Sequence, residues 1–427
     1  MASAPDHRSP LQGLVRASLT LVAGGALAQA LPLLLGPLLT RLFSPADFGH
    51  YHLFAAVAAN LAVVACARYE FALPLAADAG EAQALRVLAL RIAALVTVAS
   101  ALGAAGWWAW SREHWVVWLP LAVASAGAVS LATLWATREQ RFSALAASRV
   151  LQYGGAALAQ AAAGALGWGV TGLVVAPIAA TLLATLALRL PLGNAGLRWD
   201  ALAAVARRHR QFPLLNTPHA FLGALQDTAS VALIAASLGP AAAGFWGLSL
   251  RYLKAPATLV GSAVSQALYP KLAAAGAQPT PAARQALRRV MAALAVLALA
   301  LVAGLWVLAP WAFAALFGEP WRAAGELARA LALYIGLHFV AAPLAVVTMA
   351  WQAQAWALRL AVLGQVAFVA ALAAGLHWGG LQGAGWSVSA AMAGYFGYYF
   401  WALATWPVTA QGPADEPPAA AGDNRAP

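Results

Sequence analysis

Three charged side chains lie where charge is costly. Asp227 falls in the apolar run 213–238, and Arg251 and Lys254 in the run 241–269. An ionisable group at a bilayer centre costs about 2.5–3.5 kcal/mol on insertion scales, and such groups line cavities or pair with one another. Arg251 and Lys254 are three positions apart and share a helix face. One acid near two bases leaves net positive charge, which suits a cavity wall that receives an anion. The plainer alternative is a structural Asp227–Arg251 pair pinning two helices, with Lys254 snorkelling. Other charges stand at the edges of apolar runs: Arg41, and Arg68 with Glu70 in RYE. Edge positions are cheap for arginine, so Arg41 and Arg68 are candidates for guiding an anion or ordinary interfacial groups. Arg322, Glu326 and Arg329 share a face at a helix start, as a partly self-neutralised surface would.

Other chemistries find no support. There is no GxxxxGKS loop for nucleotide phosphates and no HExxH or Cys/His cluster for a metal. The single cysteine, Cys66, lies in an apolar run and reads as a small buried hydrophobe. The histidines have no nucleophile or acid at a catalytic spacing. The longest connection, 189–212, is far too short for a soluble catalytic domain.

The elements that must position these residues follow from composition. Of 427 residues, 63% are apolar and 9% charged, against about 25% charged in a soluble chain. Lipid must be the solvent for much of this surface. With about 20 apolar residues per span, the chain divides into twelve expected spans: 15–40, 47–68, 84–110, 115–137, 143–164, 168–189, 213–238, 241–269, 286–310, 322–350, 354–376 and 382–406. Arg8, Arg16 and the Ala28-Gln29-Ala30 stretch resemble a signal sequence, but the apolar run continues to Leu39. That is too long for a signal h-region, so a retained first span is expected. Of the 25 lysines and arginines, only Arg41, Arg112, Arg322 and Arg329 fall on the side opposite the N-terminus, with Arg251 and Lys254 within a span. That asymmetry places both termini in the cytoplasm and accounts for the net charge of +11 without nucleic acid. Trp107, Trp108, Trp110, Trp115 and Trp118 flank one outer turn as an interfacial belt. Pro32 and Pro37 loosen the first span, and the Pro/Ala-rich residues after 407 read as a disordered tail.

An internal repeat organises the spans. SPADFGHY (44–51) and GPAAAGFW (239–246) match at Pro, Ala, Gly and an aromatic with a constant offset of 195 residues. Both are outer turns, after the first and the seventh span. Two six-helix lobes related by an axis along the membrane normal are therefore expected. They are assigned to 1–190 and 213–407, joined by a basic cytoplasmic linker, 191–212, and followed by the 408–427 tail. In a parallel-repeat bundle the substrate path lies between the halves near the midplane. By the offset, Arg251 and Lys254 correspond to Ala56 and Ala59, so their cluster belongs to the second half alone.

Four stretches carry a family resemblance: LAQALPLLLGPLLTRLFSPADFGHYHLF (27–54), RYEFALPLA (68–76), FPLLNTPHAFLGALQDTASVALIAASLGPAAAGFWGLSLRYLKAPATLVGSAVSQALYPKL (212–272) and LFGEPWRAAGELARAL (316–331). Their order and spacing resemble those of bacterial polysaccharide-biosynthesis membrane proteins, the O-antigen-type lipid-linked oligosaccharide flippases. These belong to the multidrug/oligosaccharidyl-lipid/polysaccharide (MOP) exporter superfamily. The resemblance implies an all-α polytopic membrane protein of twelve or fourteen helices in two lobes around a central cavity, a MATE-like fold. It implies an undecaprenyl-diphosphate-linked oligosaccharide as cargo, moved across the bacterial inner membrane by alternating access. Cavities of this family are cationic, which carries over best to Arg251 and Lys254 and less directly to Arg41 and Arg68. Asp227 and Glu70 are the candidates for proton or sodium coupling. A glycan polymerase and a chain-length regulator are admissible protein partners, and no cofactor is expected. The rival readings are a multidrug antiporter of the same fold, a membrane polysaccharide polymerase or ligase, and a scaffold for glycan assembly. The short outer loops disfavour a polymerase, and the lack of a mid-membrane acid in the first lobe disfavours the multidrug branch.

Overall fold

The computed structural model describes Gly25 and residues 28–191, 198–274 and 279–407. The inner part of the first expected span, part of the linker and the 408–427 tail lie outside these residues. What is described is helical. Helical turns over 28–34 lead into α1 (Gly36–Leu42). The chain continues through α2 (Pro45–Val64), α3 (Ala79–Ser111), α4 (Leu119–Arg138), α5 (Phe142–Arg149), α6 (Gly155–Ala165) and α7 (Gly169–Ala187). After the linker helix α8 (Trp199–Arg208) come α9 (Thr217–Leu238), α10 (Pro240–Leu253), α11 (Ala255–Ala274), α12 (Pro281–Phe317), α13 (Arg322–Ala330), α14 (Ala332–Ala341), α15 (Ala345–Ala350) and α16 (Gln354–Ala404).

Seven helices among the described residues are long and apolar enough to cross a membrane unaided. Other expected spans are present as interrupted helices, and each interruption has a local cause or a recognisable geometry. The fifth is α5 and α6 joined through a π turn, Val150–Gly154. The eighth is α10 and α11, separated at Lys254. The eleventh and twelfth run together as α16, with non-helical backbone at Gly379 and Gly380. The second ends in a left-handed turn at Ala67 and Arg68 and bends by 51° into a short 3-10 segment, Tyr69–Leu75.

The two repeated turns hold the halves together. Ser44 caps α2 through a reciprocal capping box with Asp47, and Pro45 and Pro240 each occupy a first helical position, where a missing N–H costs nothing. Helices α2 and α10 then pack so closely that a Cβ on Gly49 would collide with the Pro240 carbonyl, and one on Gly244 with the Pro45 carbonyl. With the offset of 195, Pro45 is the counterpart of Pro240 and Gly49 of Gly244. The contact is therefore reciprocal, as an interface about a two-fold axis must be. An aromatic cluster closes over the same end: Trp321 packs edge-on against Phe48 and Phe245, at 5.1 and 5.9 Å, and donates to the Thr40 carbonyl at 3.1 Å.

Below this seam the halves meet α2 against α9, where the Thr228 hydroxyl donates to the Ala56 carbonyl at 3.0 Å. Farther inward α11 turns to its own half, with Ser265 donating to the Pro343 carbonyl at 3.1 Å. The seam thus closes at the end that the arginine distribution assigns to the outside, and a cavity lies inward of it. At the end opposite the seam, α8 docks on the first half: Leu202 is buried against Ala84 and Val87 of α3, and Tyr69 donates to the Ala206 carbonyl at 3.2 Å. His209 and Arg208 reach Glu81 at 3.0 and 3.2 Å.

Candidate functional site

Two helices with a proline in their course meet at the cavity. Pro37 has no N–H, so the Leu33 carbonyl loses its helical partner, while Leu35 beside it keeps both of its helical bonds at 3.0 Å. In the second half, Pro256 likewise leaves the Tyr252 carbonyl without its helical donor, where α10 passes into α11. Freed backbone groups at membrane depth must find partners or line a polar cavity. Here they do both. Arg251 Nη2 donates to the Pro32 carbonyl at 3.1 Å, and the Tyr252 hydroxyl donates to the Leu33 carbonyl at 2.6 Å. Adjacent residues of α10 thereby cap adjacent carbonyls across the boundary between halves.

The cavity encloses about 740 Å³ and is lined from 28–34, α2, the π turn, α9, α10 and the start of α11. That volume lies in the range of ligand sites, about 300–1,000 Å³. Asp227, Arg251 and Lys254 all line it. The structure gathers the three intramembrane charges, but not in the pairing the spacing suggests. Among the described residues no ion pair joins Asp227 to Arg251. The Arg251 guanidinium donates to the Pro32 carbonyl instead, and Asp227 and Lys254 share the cavity lining with it. The plain reading of a pinned Asp227–Arg251 hairpin does not describe this geometry.

Three lining groups escape sequence reasoning. His52 lies where the helices cross, over the backbone of Gly247, its own counterpart by the offset; a Cβ on Gly247 would strike the imidazole. Its buried Nε2 has no hydrogen-bond partner among the described residues. Tyr153 is carried into the cavity by the π turn, with 49% of its surface exposed. Gln29 lies on the turns before α1. A histidine, a tyrosine and a glutamine are unremarkable in apolar helices, and nothing in their spacing marks them.

The edge charges stand elsewhere. Arg41 is exposed in the last turn of α1. Arg68 sits in the left-handed turn after α2, its guanidinium 4.8 Å from the Phe71 ring centre. Glu70 is buried beneath the bend and accepts from the Ser130 hydroxyl at 3.3 Å. None of these three lines the cavity. Cys66 is buried with its Sγ 3.7 Å from the Gly127 carbonyl, a packing role. At the outer end of α13, Arg322 turns back to Glu319 at 2.5 and 3.0 Å rather than forward to Glu326, which accepts from Gln382 at 2.8 Å. The hydrogen bond from Arg322 holds the Glu319 carboxyl below its ordinary range.

Against known proteins, the sequence profile of the polysaccharide biosynthesis protein family matches residues 38–326. No curated protein sequence matches the chain. Among solved structures, an inward-facing multidrug resistance MATE family transporter of the MOP superfamily superposes with a TM-score of 0.65 at 16% identity, over 88% of this chain and 95% of that one. The lipid II flippase MurJ in an inward closed conformation superposes with a TM-score of 0.67 at 9% identity, over 92% and 88%. An outward-facing MATE transporter reaches 0.52 at 16% identity, over 91% and 95%. At these identities the likeness is one of fold: an all-α polytopic MOP architecture.

Proposed function

The chain belongs to the polysaccharide biosynthesis protein family, and from that premise we propose that it is a flippase for undecaprenyl-diphosphate-linked oligosaccharide. The observation that carries this reading is the cavity between the halves, with Arg251 and Lys254 on one wall. Taking a diphosphate out of water needs compensating charge, and two cations in a site of low dielectric supply part of it. The cargo is the repeat unit of an O-antigen, capsule or exopolysaccharide, the membrane is the bacterial inner membrane, and both termini face the cytoplasm. The protein acts as a transporter rather than as an enzyme.

The cycle follows from the seam. With the outer ends of α2 and α10 closed, the cavity takes the charged headgroup from the cytoplasmic side while the lipid tail stays in the bilayer. The halves then rock about the pseudo-two-fold axis, the outer seam parts, and the headgroup emerges outside. Asp227, which lines the cavity with Lys254, is our first candidate to couple a proton or sodium ion to this cycle; Glu70, buried in the first half, is the second.

The test is a strain lacking the gene. Its extracted lipids should contain undecaprenyl-diphosphate-linked oligosaccharide held in the cytoplasmic leaflet, with surface glycan lost. No such accumulation, together with altered resistance to cationic dyes, would replace this reading with a multidrug antiporter using Asp227.

A further inference from the structure

The two walls of the cavity differ in kind, and the internal repeat makes the difference measurable residue by residue. On the second-half wall stand the carboxylate, arginine and lysine that line the cavity: Asp227, Arg251 and Lys254. At the first-half positions equivalent to Arg251 and Lys254 the chain has Ala56 and Ala59, and Ala56 also lines the cavity. The asymmetry runs the other way at the crossing point. There the first half supplies the His52 imidazole, and the second half supplies Gly247, which leaves room for it. The first-half wall is completed by Gln29, Tyr51 and Tyr153. It offers aromatic faces and neutral polar groups, with no lysine, arginine or carboxylate among its lining residues.

These are the requirements of two different parts of one molecule. A diphosphate needs positive charge, and Arg251 presents a planar set of donors suited to phosphate oxygens. A pyranose has an apolar C–H face that packs on an aromatic ring and a rim of hydroxyls that exchange hydrogen bonds with neutral side chains; tyrosine offers both a face and a polar tip. The π turn Val150–Gly154 has a role in this scheme. Such turns occur mostly as single insertions within helices and are frequent at functional sites; this one brings the half-exposed Tyr153 ring to the cavity.

Resting on the flippase reading, we propose that the headgroup binds in one fixed orientation, with its diphosphate against Arg251 and Lys254 and its first, uncharged sugars against Tyr153, Tyr51, Gln29 and His52. The substrate then bridges the halves. Contact with the sugar wall selects the glycan, while the cationic wall reads only the lipid diphosphate common to all such carriers.

The experiment compares two probes on the full-length protein in lipid nanodiscs: undecaprenyl diphosphate, and undecaprenyl diphosphate carrying one N-acetylglucosamine. The wild type should bind both, the sugar-bearing probe about tenfold more tightly. Tyr153→Ala should remove that difference and leave affinity for the bare diphosphate unchanged, whereas Tyr153→Phe, which keeps the ring, should retain most of it. Arg251→Gln with Lys254→Gln should weaken both probes by the same factor. Gln29→Ala, at an exposed position, provides the same comparison where Tyr153→Ala does not accumulate. Equal loss for both probes in Tyr153→Ala, or no preference for the sugar in the wild type, would overturn the orientation while leaving the flippase reading intact. Failure of the wild type to bind either probe would overturn the flippase reading itself, and the orientation with it.

Discussion

Arg251 has two tasks for one guanidinium. It caps the Pro32 carbonyl at 3.1 Å, and it is one of two cations offered to the substrate. A guanidinium can do both because its five donors are spread over a planar fork; a lysine ammonium at the end of a flexible stem cannot hold both positions. Arg251→Lys should therefore keep the charge and still lose transport. A hydrogen bond to a charged group is worth about 1.5–3 kcal/mol, so the loss should be roughly ten- to a hundredfold, read as flipping of the lipid-linked glycan in proteoliposomes. Lys254→Arg should be tolerated. Full transport by Arg251→Lys would show that the contact to Pro32 is dispensable. The three intramembrane charges were legible in the sequence because a charge in an apolar run has few innocent explanations. Their pairing was not, because the competing partner of Arg251 is a backbone carbonyl, that of Pro32 in another span, and backbone acceptors leave no mark in the sequence. His52, Tyr153 and Gln29 were illegible for a different reason: the register that turns Tyr153 inward comes from a π turn with no sequence signature. Arg41 and Arg68 could be seen as charges but not located at the site, since interfacial arginine is cheap wherever it falls.

At the scale of elements, hydropathy pointed to an all-α polytopic chain but not to where its helices are interrupted: against twelve expected spans, seven helices among the described residues are long and apolar enough to cross a membrane unaided. Pro37 stands out as a proline that loosens the first span, but an apolar window averages over it and over Pro256, and neither shows which partner its freed carbonyl will find. Physically these prolines matter more than any boundary, because each frees one carbonyl at the depth of the cavity. Pro37→Ala would restore the N–H that the Leu33 carbonyl lacks, and an interior proline costs a helix about 3 kcal/mol. The variant should unfold in detergent at a temperature equal to or above that of the wild type, while transport falls. The Leu33 carbonyl would then be taken by its own helix and no longer offered to Tyr252. Tyr252→Phe probes the same contact from the other side. Interhelical hydrogen bonds in membranes average about 0.6 kcal/mol, so its stability should change little while its transport moves in the same direction as that of Pro37→Ala. A Pro37→Ala protein that is both stable and fully active would remove the freed carbonyl from the mechanism.

For the molecule as a whole, the repeat in the outer turns was visible as two short motifs, and the structure gives that visibility a physical reason. The residues that match are those at the axis, where the halves touch through backbone. Pro45 and Gly244, and Pro240 and Gly49, leave no space for a side chain, so the same small residues are required on both sides of the seam. Away from the axis the halves diverge in sequence, as the cavity walls do. If the seam is the outer gate, closure depends on that backbone approach. Gly49→Leu should hold the outer ends of α2 and α10 apart, and Gly244→Leu should do the same by symmetry. A cysteine at position 56, introduced as Ala56→Cys in a Cys66→Ala background, lines the cavity beneath the seam. With the native glycines it should be protected from a membrane-impermeant maleimide added outside; with Gly49→Leu it should be labelled, and glycan export should stop because the cavity no longer closes outward and resets. Loss of export without outer labelling would make the seam a packing contact rather than a gate, and the pivot of the rocking motion would then have to lie elsewhere, at α2 against α9.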